Sequence, residues 1–212
     1  MKKTLGILGT GIALCTVFAP TAVSAAFGEP AEGNTRVEIV DFEVIDGLPT
    51  APGEFTLTEV PDIDFGVHTL EAINTNATVE GTYEGALEAS DFRPIEESQA
   101  EALQIIGDYV GEEDPSVVSE LEAAWTNAIL AGDWSLEVRA SNLEAGAIAS
   151  ALTINGEDVL SASATFGIDY VVGTFDHIEA ISEESPKLTV VDNTPVGEYN
   201  GTITYTAMNA IV

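Results

Sequence analysis

The sequence predicts a mainly β protein, an antiparallel β-sandwich or Greek-key-like domain with a helical hairpin inserted in it. Three observations carry this expectation. Short runs in which apolar and polar residues alternate recur along most of the chain. Turn-forming groups such as Asp46-Gly47, Ala51-Pro52-Gly53, Asn155-Gly156 and Thr194-Pro195-Val196-Gly197 separate them. One stretch, about residues 95–131, drops the period of two and places its apolar residues at helical spacing.

In chain order the predicted strands are Arg36–Val44, Phe55–Val60, Thr78–Leu87, Trp134–Ala140, Ile148–Ile154, Val159–Val172, Lys187–Val191 and Tyr199–Ala207. Trp134–Ala140 alternates most strictly, with Trp134, Leu136, Val138 and Ala140 on one face and Ser135, Glu137 and Arg139 on the other. Such a strand is half-buried, and Trp134 is expected to be a core anchor. Asn155-Gly156 between two apolar runs predicts a tight hairpin. In the helical stretch Leu103, Ile106 and Val110 form a stripe, with Ile105 and Tyr109 beside it. Ser98 and Glu101 suggest a capping box, and Asp114-Pro115 an N-cap followed by proline at the first helical position. A second helix would bury Val117, Leu121, Ala124, Trp125 and Ala128, with Gly132 as its stop.

Residues 1–26 resemble a secretion leader: Lys2 and Lys3, an uncharged apolar run from about Leu5 to Phe18, then small residues at Val23-Ser24-Ala25-Ala26. Cleavage is expected after Ala26, leaving residues 27–212 as one domain. The apolar run is too short for comfortable membrane spanning, so no insertion in a lipid membrane is expected. The only cysteine, Cys15, lies inside the leader, so the mature chain would hold no disulfide and no thiolate metal site. Without Lys2 and Lys3, four bases (Arg36, Arg93, Arg139 and Lys187) face 36 acids, a net charge of −32. That charge opposes capture of nucleic acid or anionic lipid and favours cationic, neutral or metal-bridged partners.

The chemical inventory is thin. His68 and His177 stand apart, and surface or turn positions are the expectation for both. No nucleophile elbow and no phosphate-binding glycine loop occurs. Asp62-Ile63-Asp64 and Glu112-Glu113-Asp114 have the oxygen ligands that calcium favours, but neither follows an EF-hand pattern. The expectation is a protein without catalytic residues, resident metal or cofactor.

Three separated stretches together resemble the WxL domain, a cell-surface domain of low-GC Gram-positive bacteria. The first is Glu59-Val60-Pro61-Asp62-Ile63-Asp64-Phe65-Gly66, with the Val-Pro and Phe-Gly pairs. The second is Trp134-x-Leu136, similar to the proximal Trp-x-Leu signature and followed by a small-residue strand at Ala147–Ile154. The third runs from Val196 to Ala207 and resembles the C-terminal strand: Tyr199, Thr202 and Ile203 match, while Tyr205 replaces the distal tryptophan and Ala207 its leucine. The resemblance implies a secreted, β-rich domain held non-covalently to the cell wall through peptidoglycan. It also implies assembly with a membrane-anchored partner protein or other WxL proteins. Trp134, Leu136, Tyr199, Thr202, Tyr205 and Ala207 are then the signature residues, either as core or as an exposed surface that binds glycan rings or a partner. The alternative reading is a structural or adhesive surface subunit whose acidic surface calcium bridges.

Overall fold

A computed structural model describes residues 40–141 and 148–209. The expected leader and its cleavage point lie outside the described residues. The chain forms β1 (Val44–Ile45), β2 (Leu48–Pro49), β3 (Phe55–Glu59), β4 (Asp62–Asp64), α1 (Leu70–Thr75), β5 (Thr78–Glu80), β6 (Thr82–Glu84) and β7 (Glu88–Asp91). It continues with α2 (Glu96–Gly107), α3 (Pro115–Thr126), β8 (Trp134–Ala140), β9 (Ala149–Ile154) and β10 (Glu157–Asp158). The last elements are β11 (Ala164–Ile168), β12 (Gly173–Asp176), a 3-10 turn at Ile178–Ala180, β13 (Lys187–Val190) and β14 (Ile203–Asn209). The fold is mainly β and sandwich-like, as the alternation predicts.

Every strand pair among the described residues is antiparallel, and strand order departs from chain order. A four-stranded sheet runs β10-β9-β13-β5, and two three-stranded sheets run β11-β8-β14 and β12-β7-β3. Two small ladders, β1-β2 and β4-β6, complete the set. The apolar faces of the three larger sheets meet in one core that includes Val79, Ala89, Trp134, Leu136, Leu152, Ile154 and Leu188. Val159 joins two of these sheets at a corner, because its carbonyl accepts from Ala140 N–H while its own N–H donates to Leu152. The β9–β10 hairpin turns at Asn155-Gly156 with positive φ at both residues, the conformation that asparagine and glycine tolerate.

β8 is the central strand of its sheet. Trp134, Leu136, Val138 and Ala140 are all buried, and the residues between them are not. On one side Leu136 pairs with Phe166 and Trp134 with Ile168; on the other Leu136 pairs with Ala207 and Val138 with Tyr205.

Elsewhere the structure corrects the predicted boundaries. The run Thr78–Leu87 breaks at Gly81, where an added Cβ would lie 2.8 Å from the Phe65 ring. The run Val159–Val172 contracts to β11, and Tyr199–Ala207 shifts to β14, which begins only at Ile203. Of Arg36–Val44 only Val44 lies in a strand among the described residues, and 36–39 lie outside them. α1, β7 and β12 were not predicted.

The helical hairpin forms where expected, over a small core of its own. Trp125, Ala102 and Ile106 bury with Leu48 of β2, and Phe42 packs edge-on to Trp125 at 5.2 Å. Trp125 Nε1 donates to the Thr50 carbonyl. Asp114 caps α3 as predicted, accepting from Ser116 N–H, with Pro115 opening the helix. These bonds hold its carboxyl below the usual range. The capping box is overturned: α2 starts after Ile95 without a side-chain cap, and the Ser98 hydroxyl donates to the Asp41 carboxylate instead. Glu96 and Glu97 in its first turn suit the positive helix end. Val110 is fully exposed, because α2 stops at Gly107-Asp108, two poor helix formers, before the stripe reaches it. Val117 and Ala124 are also exposed, and α3 ends at Asn127 rather than Gly132.

Candidate functional site

An open groove with a cavity volume of about 970 Å³ runs beside the start of β14. One wall comes from β4 and the turn after it, Asp62 to Leu70. The opposite wall is the segment Thr194 to Ile203, and its floor includes Val79, Ala140, Leu152 and Leu188 of the two main sheets. Local chemistry builds the first wall. Gly66 takes positive φ and donates to Asp64 Oδ1, while His68 Nε2–H donates to the Phe65 carbonyl. Thr69 then caps the short α1 by accepting from Ala72 N–H. Phe65 packs partly against the core and partly into the groove.

The opposite wall carries Tyr199. Its hydroxyl donates to the Pro195 carbonyl at 2.7 Å, and a Cβ added at Gly197 would come within 3.3 Å of its ring. Hydroxyl and glycine together fix the ring before any ligand arrives, which lowers the entropic cost of stacking on it. Asp62, Asp64 and Glu198 give the groove an acidic lining, and Thr202 and Asn200 add hydroxyl and amide groups. Aromatic faces among short polar side chains can hold a ring-shaped polar ligand by stacking and hydrogen bonding.

The six signature residues divide. Trp134 and Leu136 are core, 2 % and 0 % exposed, so the structure places them where packing alone explains them. Tyr205 and Ala207 lie opposite Val138 and Leu136 on the same inward face, partly buried, in one cluster with Trp134. The Tyr205 hydroxyl donates to the Pro61 carbonyl, which ties the third motif to the first. Burial pushes its pKa far above the usual phenol value, and that of Tyr83 up to about 12, so both stay neutral donors. Tyr199 and Thr202 precede β14 and face the groove. Thr202 N–H donates to Ser141 Oγ, and Ser141 N–H donates to the Thr202 carbonyl. The groove therefore takes residues from the first and third motifs, and the second supplies the strand beneath them.

Sequence reasoning did not find Arg93. It is 5 % exposed, and all five of its guanidinium N–H groups are used. Nε and Nη2 grip Asp91 bidentately at 2.9 and 2.7 Å. Nη1 donates to Asn209 Oδ1 and the Leu130 carbonyl, and Nη2 also to the Gly132 carbonyl. Phe55 and Tyr170 are its cation–π partners, with ring centroids 5.6 and 5.9 Å from the guanidinium carbon. A second recess, about 460 Å³, lies between Arg93, Trp134, Ala128 and Met208, but no free donor of Arg93 points into it. One signal was legible: a base kept beside Asp91 and Pro94 in a chain with six bases and 36 acids needs a reason.

No family model matches the chain, and neither a curated protein nor a solved structure resembles it. Among the described residues no three histidine, cysteine or carboxylate side chains converge as metal ligands. Asp62 and Asp64 stand exposed on one face of β4, and Asp114 serves α3. Among the described residues no helix is long and apolar enough to cross a membrane.

His177 lies in the turn between β12 and the 3-10 helix, as expected. It is half-buried, with its ring edge-on to Trp134 at 5.4 Å. Burial pushes its pKa down, against the opposing pull of Asp176 and Asp91. The fold therefore prefers the neutral ring. Its stabilising contribution is present above the ordinary pKa of about 6.5 and is lost as pH falls through the lower folded value. The Tm advantage of the wild type over His177→Gln should shrink between about pH 7 and pH 5. A constant difference across that range would refute the assignment.

Proposed function

We propose that this is a non-enzymatic secreted protein of the WxL-domain kind, held non-covalently to cell-wall peptidoglycan and assembling with a membrane-anchored partner protein. One observation carries the reading. Two motif stretches more than 120 residues apart in sequence, Asp62–Gly66 and Val196–Ile203, form the two walls of one groove. That groove presents Phe65, Tyr199 and His68 among hydroxyl and amide groups. Its acidic residues suit the free amines of peptidoglycan stem peptides, and the net charge of −30 disfavours anionic ligands.

The test is co-sedimentation of the mature protein with insoluble peptidoglycan. Tyr199→Ala should bind roughly tenfold more weakly, the ~1.4 kcal/mol of one aromatic contact, with Tm little changed. Equal binding by wild type and variant would remove the groove from the proposal. On whole cells, chaotrope or high salt should release the protein; release only by muramidase would rule out non-covalent attachment.

A further inference from the structure

β14 is a seven-residue strand whose only hydrogen-bonded neighbour among the described residues is β8. The ladder shows which of its backbone groups are free. Ser141 N–H donates to the Thr202 carbonyl, while Ala140 N–H points away from β14 to Val159. Backbone groups alternate sides along an antiparallel strand. Thr204, Thr206 and Met208 therefore bond β8, and the N–H and C=O groups of Ile203, Tyr205, Ala207 and Asn209 face the open edge. Natural edges are usually guarded by charge, proline or a bulge. Ile203–Asn209 has no charged residue and no proline, and its pairing with β8 runs without a register shift.

We propose that the free edge of β14 is a docking site for an extended, lysine- or arginine-bearing segment of another protein, which joins the sheet β11-β8-β14 as a fourth strand. Charge selects this occupant over a second copy of the chain. The protein carries −30, so two copies repel, whereas a basic segment is drawn in. The acids near the edge point the same way: Glu137 lies opposite Thr206, and Asp62 directly follows Pro61, whose carbonyl accepts from the Tyr205 hydroxyl. Arg139, opposite Thr204, is the one base beside them in the ladder. The edge also has a recess at each end. Ile203 borders the large groove, and Ala207, Met208 and Asn209 border the smaller one. A strand laid along β14, about 23 Å at 3.3 Å per residue, reaches from one to the other. The proposal rests on the ladder and the charge, and stands whether or not the groove binds wall glycan.

The probe is a ten-residue synthetic peptide alternating valine or threonine with lysine, beside a version with glutamate for lysine and one with N-methylated backbone. Amide exchange and fluorescence anisotropy read the outcome. In the free protein the amides of Ile203, Tyr205, Ala207 and Asn209 should exchange fast and those of Thr204, Thr206 and Met208 slowly. The lysine peptide should protect the first set, and the other two peptides should not. Ala207→Pro, which removes only an outward N–H, should weaken binding at least tenfold. The N-methylated peptide makes the same test without altering the protein. Failure of the lysine peptide to protect the edge, equal binding of the glutamate peptide, or self-pairing through β14 in sedimentation would each overturn the proposal.

Discussion

Arg93→Met is expected to cost about 3–5 kcal/mol of stability, the usual penalty for breaking a buried ion pair by removing one partner. Methionine fills similar volume, so little of the loss comes from a cavity. It comes from what is left behind: an Asp91 carboxylate that is 2 % exposed and has lost its counter-charge. The carbonyls of Leu130 and Gly132 and the Asn209 amide oxygen lose donors as well. Lysine should not rescue, because one ammonium cannot reproduce a bidentate grip and three further bonds in different directions. The double variant Asp91→Asn, Arg93→Met should recover part of the loss, since it removes the stranded charge. Urea unfolding measures this. At roughly 2 kcal/mol per molar, the midpoint should fall by about 1.5–2.5 M with unchanged slope. A shift below about 0.5 M would mean that solvent reaches the pair.

Trp134→Ala is the second large effect, again about 3–5 kcal/mol, the range for emptying a buried aromatic site. The indole packs on Phe55 at 4.9 Å and on His177 at 5.4 Å, and fills the end of β8 where two neighbouring strands pair with it. Phe55 belongs to β3 in a different sheet from β8, so collapse into the hole would shift one sheet's ladder against the other's. Against a domain stability of roughly 5–15 kcal/mol, the variant should be partly unfolded at growth temperature. Loss of near-ultraviolet dichroism and a lowered Tm check this. Any loss of peptidoglycan binding by this variant should track its loss of fold, whereas Tyr199→Ala should lose binding while folded. A well-folded Trp134→Ala that fails to bind would mean that the indole itself contacts the ligand.

What the sequence disclosed follows from where each constraint is written. β8 was legible because a strand with one buried face records burial at every second residue. α3 was legible because Asp114, Pro115 and Trp125 mark its start and its buried side locally. β7 was not, since Glu88-Ala89-Ser90-Asp91 has little β propensity and owes its strand to β3 and β12 on either side. α1 was missed because six residues are too few to show a period. The Arg93 network was missed because its partners lie two, 37, 39 and 116 positions away, with no local pattern linking them. The groove was half-legible. Its two walls carry recognisable sequence motifs, but only the fold brings them to one groove.

The helical hairpin leaves the sandwich at Pro94 and returns at Ala131, and those two residues are hydrogen-bonded to each other. Its start and finish thus occupy almost the same point, and the sandwich strands on either side would be joined as well by a short turn. Its core closes on the β1–β2 hairpin and not on the main one. Mechanically it is an appendage on a fixed frame. Shortening it between Pro94 and Ala131 should leave β8 in place, while Arg93 beneath it, bonded to the Leu130 and Gly132 carbonyls, keeps the point of attachment shut.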